Sequence, residues 1–261
     1  MNFVDTHTHL YSTKFNDDQE QVVQSCITKG VNKLLLPNID STSTQPMLDL
    51  ATKYPHNCFP MMGIHPCSIN NESIEKELAH TKEHLFGGKT KFIAVGEIGI
   101  DLYWDKTTLQ AQVKAFKQQI QWAKELDLPI AIHARDSFDE IFEVLDEVND
   151  TKLRGVLHCF TGNLEQAKKV ISYGGFKLGI GGVVTFKNGG LDKFLKEIDL
   201  QHILLETDAP YLAPTPYRGK RNTSEYIPII AEKLADIYGC SLPEIADITT
   251  QNAIDLFDLE K

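Results

Sequence analysis

The residues with the clearest chemical potential lie near the start of the chain, where His7 and His9 follow the apolar pair Phe3-Val4. If this segment is a β-strand, its side chains alternate in direction, so the two imidazoles point to the same side. Two imidazoles that share one face can bind a single divalent cation. The spacing therefore predicts one part of a metal site, whose remaining ligands must come from later in the chain.

Short apolar runs predict eight β-strands in the sequence, including this first one. They cover residues 2–6, 31–37, 58–64, 92–95, 129–132, 156–157, 176–180 and 203–206. Segments with helical periodicity lie between and after these runs, at residues 17–29, 41–54, 73–86, 108–126, 138–148, 164–173, 191–198, 224–238 and 242–256. Strands that alternate with helices in this way are typical of parallel βαβ units.

Eight such units predict the fold class, an α/β protein built as a (β/α)8 TIM barrel, with an extra C-terminal helix at residues 242–256. The length of 261 residues agrees with this fold, because such barrels commonly need about 250 residues. No linker or low-complexity tract interrupts the alternation. We therefore expect residues 1–261 to form a single barrel domain.

Four more candidate ligands follow predicted strands, and they are Glu97, His133, His158 and Asp208. Active sites of these barrels lie at the C-terminal ends of the strands, so the four should converge with the first two histidines on one mouth. A single histidine at a strand end is more often a hydrogen-bonded structural residue, but six groups in register with the strands favour a metal centre. Such a set is too large for one tetrahedral zinc and suits two divalent ions, with Glu97 as a bridge between them.

The composition narrows the class of protein. A net charge of −10 argues against an ordinary nucleic-acid-binding surface, because non-specific affinity depends on cations that neutralise phosphates. No segment is apolar enough to span a bilayer and the N-terminus lacks the pattern of a signal peptide, so we expect no membrane association. The five cysteines contain no Cys-x-x-Cys pair, which predicts reduced thiols and a cytoplasmic protein.

At the predicted strand ends the chain resembles a known family, the TatD-like metal-dependent deoxyribonucleases of the amidohydrolase superfamily. Its motifs run through nearly the whole chain, as DTHTH at 5–9, GIHP at 63–66, GEIGID at 96–101, IHAR at 132–135, HCFTG at 158–162, ETDAPYL at 206–212 and RGKRN at 218–222. Two loops depart from the family's frequent pattern. Leu102-Tyr103-Trp104 stands where two aromatics and an arginine are common, and Thr223-Ser224 where an acidic-Pro pair is common. Both departures concern substrate preference rather than the metal site.

The resemblance implies how the ligands are shared between two divalent metal ions. One ion would be held by His7, His9, Glu97 and Asp208, and the other by Glu97, His133 and His158. Histidines favour zinc, manganese or iron, whereas open carboxylate-rich positions tolerate magnesium, and we expect Zn, Mn or Mg.

The resemblance also implies an activity, the hydrolysis of DNA phosphodiester bonds by a 3′-5′ exodeoxyribonuclease that acts on single-stranded ends. A metal-bound hydroxide would attack phosphorus, with Asp208 and Glu97 as the catalytic residues. Asp208 would orient the attacking water and accept its proton. The expected partner is the DNA substrate, and neither a membrane nor a stable protein partner is implied.

Residues near the predicted mouth are candidate substrate contacts, namely His65, Asp101, Tyr103, Arg135, Arg218 and Arg221. Arg135 lies two residues past His133 and is the better-placed phosphate ligand, whereas Arg218 and Arg221 belong to a basic loop that could equally be solvated. Asp101 and Tyr103 are expected to line the entrance. Tyr103 or Trp104 could stack on a base, although Trp104 could instead pack in the core.

Three other residues near the predicted mouth are more simply interpreted as structural than as substrate contacts. His65 could contact substrate, support the metal ligands or make only a structural hydrogen bond. Glu206 shares its strand face with Asp208 and is expected to support a ligand. Gly179 belongs to a glycine-rich stretch that tight turns explain most simply.

Two other functions stay open at this point. The same metal site could hydrolyse a small amide, ester or lactone, because the fold does not fix the substrate. Neutralising Arg218 and Arg221 should weaken a nuclease but hardly affect a hydrolase of neutral amides. The chain could also be a non-catalytic barrel that binds a partner, which a lack of bound divalent ions would favour.

Overall fold

The structure is a computed structural model, and it describes residues 1–259. It contains eight strands, which are β1 (Phe3–Asp5), β2 (Val31–Pro37), β3 (Cys58–Met61), β4 (Val95–Asp101), β5 (Ile130–Arg135), β6 (Gly155–Leu157), β7 (Phe176–Ile180) and β8 (Ile203–Leu205). The α-helices are α1 (Gln19–Thr28), α2 (Thr44–Lys53), α3 (Ile74–Phe86), α4 (Leu109–Leu126), α5 (Phe138–Val148), α6 (Leu164–Ser172), α7 (Ile227–Tyr238) and α8 (Leu242–Phe257).

The strands pair in parallel and follow the order of the chain. β1–β3 form one sheet and β4–β8 another. Backbone hydrogen bonds join the two sheets at both edges, since the Met62 amide donates to Ala94 at 3.2 Å and the Thr6 amide donates to Leu205 at 3.0 Å. The predicted (β/α)8 barrel is confirmed, and the carboxyl ends of all the strands meet at one rim.

The fourth strand is longer than the sequence predicts, because it runs over Val95–Asp101 rather than residues 92–95. Its two glycines weaken the strand signal, yet the structure requires a glycine there. A Cβ on Gly99, whose φ is +147°, would lie only 2.1 Å from the carbonyl oxygen of His133. The close approach to β5 keeps Glu97 inside a buried strand rather than in a loop after it.

The predicted helix at residues 191–198 is wrong. The structure has two separate 3-10 turns, Leu191–Lys193 and Leu195–Glu197. Phe194, with φ −135° and ψ −15°, interrupts the helical conformation between them. β7 and β8 are therefore connected without an α-helix.

Two apolar clusters fill the protein, one between the sheet and the helices and one inside the barrel. The inner cluster contains Ala131 and Val156, and His133 and His158 lie two residues further along the same strand faces. It also contains the last turn of α8, including Phe257. The side chain of Asn252 in α8 donates to the Ile203 carbonyl at 2.9 Å, at the start of β8. The additional helix therefore closes the end of the barrel opposite the rim.

No helix among residues 1–259 combines the length and the apolarity that a membrane span requires.

Candidate metal centre

All six predicted ligands lie together at the C-terminal rim of the barrel. Glu97 is at the middle of the group, and its carboxylate oxygens reach different neighbours. Oε2 lies 3.1 Å from His7 Nε2 and 3.6 Å from His9 Nε2. Oε1 lies 2.9 Å from His133 Nδ1 and 3.3 Å from His158 Nε2. One carboxylate therefore faces two pairs of imidazoles, with one pair at each oxygen.

Asp208 completes the side of the group that contains the first two histidines. Its Oδ1 lies 3.6 Å from His9 Nε2 and 4.0 Å from His7 Nε2. Asp208 has a positive φ of 56°, a conformation that aspartate tolerates better than most residues. Its backbone amide donates to the His7 carbonyl at 2.9 Å, which ties the end of β8 to the end of β1.

Three of the four imidazoles have their outer nitrogen held by a hydrogen-bond acceptor. His158 Nδ1 faces Glu206 Oε1 at 3.1 Å, and His133 Nε2 faces Asp101 Oδ2 at 2.8 Å. His9 Nδ1 lies 2.7 Å from the hydroxyl of Tyr11, which itself donates to the Pro37 carbonyl. Each outer nitrogen therefore carries a proton, and the inner nitrogen faces the centre. This is the arrangement that metal-binding histidines need. Burial lowers the pKa of His133 and His158, but the neighbouring carboxylates outweigh it and raise both values, so a bound cation would have to displace the inner proton.

His7 is instead governed by burial. Its ring stacks on His158 with centroids 3.5 Å apart. Burial lowers the pKa of His7, and the neighbouring His158 lowers it further. The lowered pKa favours the neutral ring, which keeps a lone pair on one of its two nitrogens. Within residues 1–259, its Nδ1 is buried without a hydrogen-bond partner.

Glu97 is ionised in this environment. Burial opposes the charge, but His65, His7 and His158 together outweigh it and hold the pKa of the Glu97 carboxyl well below its usual value. Three overlapping groups of side chains place ligand atoms within 4.8 Å of one another, namely His7, Glu97 and His158; His7, His9 and Asp208; and His65, Glu97 and His133. The residues present fit divalent cations.

His65 differs from the other histidines, although its Nε2 lies only 3.4 Å from Glu97 Oε1. Its Nδ1 accepts a hydrogen bond from the backbone amide of Cys67 at 3.1 Å. In the neutral ring the proton must then be on Nε2, which points into the centre. His65 therefore turns an N–H donor toward the centre, because its other nitrogen is already occupied as an acceptor.

Asp101 does not line the entrance as the sequence predicts. Its side chain is buried, with Oδ2 against His133 and Oδ1 accepting from the Tyr103 amide at 2.9 Å. Burial opposes its ionisation, but the hydrogen bond from His133 and the backbone amides prevail and lower the pKa of Asp101 to about 2. Asp101 orients a candidate ligand and does not face the substrate.

Glu206 supports His158 from below. Its Oε1 also accepts from the Cys159 amide at 2.6 Å. A Cβ on Gly179 would lie 2.1 Å from Glu206 Oε2, so this glycine is needed for space inside β7 and not for a tight turn. A glycine within a strand is the sequence signal that could have indicated such a close approach.

Asp5 and Tyr11 also belong to the site, although the sequence does not indicate their roles. Asp5 Oδ1 accepts from the amides of His7 and Thr207, at 3.2 and 3.0 Å, and its Oδ2 accepts from the Thr207 hydroxyl. Burial raises the pKa of Asp5 to about 7, against the lowering effect of these hydrogen bonds. Asp5 thus joins the two chain segments that carry His7 and Asp208. β1 ends at Asp5, so strand alternation does not extend to His7, His9 or Tyr11 and could not have indicated these contacts.

The predicted substrate contacts on the outer rim differ in their partners. Arg221 makes two hydrogen bonds to the carboxylate of Asp18, at 2.8 and 2.6 Å. Arg218 lies over the ring of Phe186, 3.6 Å from its centroid. Arg135 lies over the ring of Tyr103 at 3.7 Å, and within residues 1–259 no carboxylate is within 4 Å of it. Arg218 also has no such carboxylate among these residues, so both arginines keep an available charge, and Arg135 is the one two residues past His133.

A barrel whose rim gathers imidazoles around an ionised carboxylate is typical of metal-dependent hydrolases, and the similarity of the chain to known proteins places it in this class. Residues 4–258 match the family model described as TatD related DNase. The chain belongs to this family.

The similarity to individual proteins covers nearly the full length of this chain and of each relative. A Bacillus subtilis protein named uncharacterized metal-dependent hydrolase YabD is 36% identical over 254 residues, 97% of this chain and 98% of that protein. The 3′-5′ ssDNA/RNA exonuclease TatD of Salmonella typhimurium is 34% identical over 261 residues, 98% of each protein. The crystal structure of YjjV, a TatD homologue from Escherichia coli K12, has a TM-score of 0.92 at 29% identity and covers 99% of this chain and 98% of that one.

Proposed function

We propose that this hydrolase cleaves phosphodiester bonds in DNA as a 3′-5′ exonuclease that acts on single-stranded ends. The observation that carries the proposal is the position of Glu97 between two sets of imidazoles, one on each carboxylate oxygen. A bridging carboxylate is typical of two-metal sites, and many such sites act on phosphate esters. The name of the Salmonella typhimurium relative, a 3′-5′ ssDNA/RNA exonuclease, supports the same substrate class.

Two divalent ions, zinc, manganese or magnesium, would be held on the two sides of Glu97. His7, His9 and Asp208 would bind one ion, and His133 and His158 the other. When bound, such ions make a coordinated water more acidic and offset the negative charge on phosphate. This contribution matters here because the protein as a whole carries a net charge of −10.

The protein's own residues supply the other steps. Burial opposes ionisation of Asp208, but His9, His158 and His7 lower the pKa of its carboxyl, so it is ionised and can accept the proton of the attacking water. His65 donates its Nε2 proton in a hydrogen bond to a non-bridging phosphate oxygen. Arg135 contributes positive charge to the same phosphate from the rim, with a fork of donors suited to two oxygens.

The shape of the site is consistent with an exonuclease. Glu97, His7 and His158 are buried, whereas the side chain of Asp208 is 16% exposed. A recessed centre can take a flexible strand end more easily than the middle of a duplex. We also propose that the protein works in the cytoplasm, because all five cysteines are free thiols.

The test is to incubate the purified protein with 5′-labelled single- and double-stranded oligonucleotides in magnesium, manganese or zinc and to map the product ends. We expect metal-dependent shortening from the 3′ end that is faster on single strands. A matched panel of small amides, esters and lactones is assayed in parallel. Hydrolysis of a panel member without any cleavage of DNA would refute the proposal and favour the amidohydrolase alternative.

A further inference from the structure

Two aromatic rings are exposed at the rim directly after β4. Tyr103 is 53% exposed and Trp104 is 70% exposed, and their rings meet edge to face with centroids 5.0 Å apart. We call these two residues the aromatic corner. The alternative that Trp104 packs in the core is wrong, since most of its indole is in contact with solvent.

The aromatic corner is held in a fixed position relative to the metal centre. Asp101 Oδ1 accepts from the backbone amides of both Tyr103 and Trp104, at 2.9 and 3.3 Å. The other oxygen of the same carboxylate binds His133. One buried side chain therefore connects a candidate ligand to the backbone that presents the two rings.

Arg135 adds a positive charge to this corner. Its guanidinium lies 3.7 Å from the centroid of Tyr103 and 5.6 Å from that of Trp104. It covers one face of Tyr103 closely and lies farther from the ring of Trp104, which stays 70% exposed. A flat apolar surface next to an unpaired cation matches a nucleotide, which has a flat base next to an anionic phosphate.

We propose that Trp104, supported by Tyr103 and Arg135, is a base-stacking subsite that binds one base next to the scissile phosphate. The proposal rests on the proposed nuclease function and adds a specificity determinant to it. Stacking does not depend on base identity, because every base has a π-face, so the subsite favours unpaired bases of any sequence. Bases in a duplex are already stacked and cannot reach it.

The experiment compares two single-stranded oligonucleotides that differ only in the last nucleotides at the 3′ end, which either carry bases or are abasic. We expect Trp104→Ala to lower kcat/KM on the base-bearing oligonucleotide by about tenfold, mainly through KM. Trp104→Phe should restore most of the loss because it restores a ring. The wild-type protein should lose a similar factor on the abasic oligonucleotide, and Trp104→Ala should lose nothing further there.

Phe86→Ala is the matched control. Phe86 is 43% exposed at the end of α3, which leads to the start of β4, so it lies at the opposite end of the barrel. This variant should keep wild-type constants on both oligonucleotides. Equal kcat/KM for Trp104→Ala and the wild type on the base-bearing oligonucleotide, or an equal loss on both oligonucleotides, would overturn the subsite alone. A wild-type protein that cleaves neither oligonucleotide would overturn the nuclease proposal together with it.

Discussion

Two layers of the site are built in different ways. We call the six candidate ligands the floor, and the exposed side chains of Tyr103, Trp104 and Arg135 the outer rim. On the floor, each candidate ligand is buried or nearly so, and most have a second partner that fixes the ring or carboxylate, such as Tyr11 behind His9. On the rim, the side chains of Tyr103, Trp104 and Arg135 are exposed and touch mainly one another. The floor is prepared to bind ions before any substrate arrives, whereas the rim still has contacts to make.

This difference indicates which properties each layer controls. A preorganised layer determines whether the reaction occurs, because small displacements of its groups have large effects on rate. An exposed layer determines which molecule is bound, and loss of one contact there costs only part of the binding energy. Substitutions on the floor should therefore affect kcat strongly, and substitutions on the rim should affect mainly KM.

The largest effect is expected for Glu97→Gln. The substitution removes the charge between the two groups of imidazoles, and metal-dependent hydrolysis should fall by about 10³-fold or more. Circular dichroism should show an intact fold. Glu143→Gln, an exposed position on α5, is the control and should keep full activity. Comparable turnover by Glu97→Gln and the wild type would contradict the role of the floor.

A smaller effect is expected for Glu206→Gln, since Glu206 acts through His158. Loss of this carboxylate should weaken metal affinity by about 10- to 100-fold. Metal titrations of both activity and binding heat measure the change. Because Glu206 positions a ligand, kcat should recover at saturating metal. A kcat that stays low in excess metal would mean that Glu206 takes part in the reaction itself.

Arg135→Ala should have an intermediate effect that is confined to anionic substrates. Loss of a charged hydrogen-bond donor to phosphate should lower kcat/KM on oligonucleotides by about 30-fold. Hydrolysis of any neutral ester that the protein accepts should hardly change. An equal loss on both substrates would show that Arg135 maintains the structure of the rim rather than binding phosphate.

Asp18→Asn should have the smallest effect. The hydrogen bonds from Arg221 hold the pKa of Asp18 below its usual value, so the pair stabilises the fold fully above the unfolded-state pKa of about 4. This contribution is lost as the pH falls through the lower folded-state pKa. At this partly exposed site the variant should be destabilised by only about 0.5 kcal/mol at pH 7 and by less near pH 3.

Urea denaturation at both pH values measures the stability difference, and oligonucleotide assays test the role of Arg221. If Arg221 has only a structural role, Asp18→Asn should leave KM unchanged. A lower KM in this variant would mean that the released Arg221 binds phosphate, and the assignment of phosphate binding to Arg135 alone would then be wrong.

The sequence predicts the floor better than the rim for a physical reason. His133 and His158 follow strands of a parallel barrel, and the geometry of the barrel brings strand ends together whatever the loops do. The pairing of Arg221 with Asp18 joins residues 203 positions apart through two loops, and no local pattern reports it. The exposure of Trp104 likewise depends on how Asp101 holds the backbone, which composition and spacing do not specify.

The same limit explains the errors within the barrel. The glycines of β4 resemble a loop in the sequence. In the structure, Gly99 in β4 and Gly179 in β7 leave space that another chain segment or side chain occupies. Asp101 looked like an entrance residue because it follows Glu97 closely. Its direction depends on β4 extending to Asp101 itself.

The position of α8 determines where substrate can enter the site and where products can leave it. Among residues 1–259, Phe257 and Asn252 close the barrel at the end opposite the metal centre. The centre is therefore open to solvent at the C-terminal end of the strands and closed at the other end. Substrate must enter and products must leave at this same end. A polymer cannot thread through the protein and can offer only a terminus or a looped-out stretch.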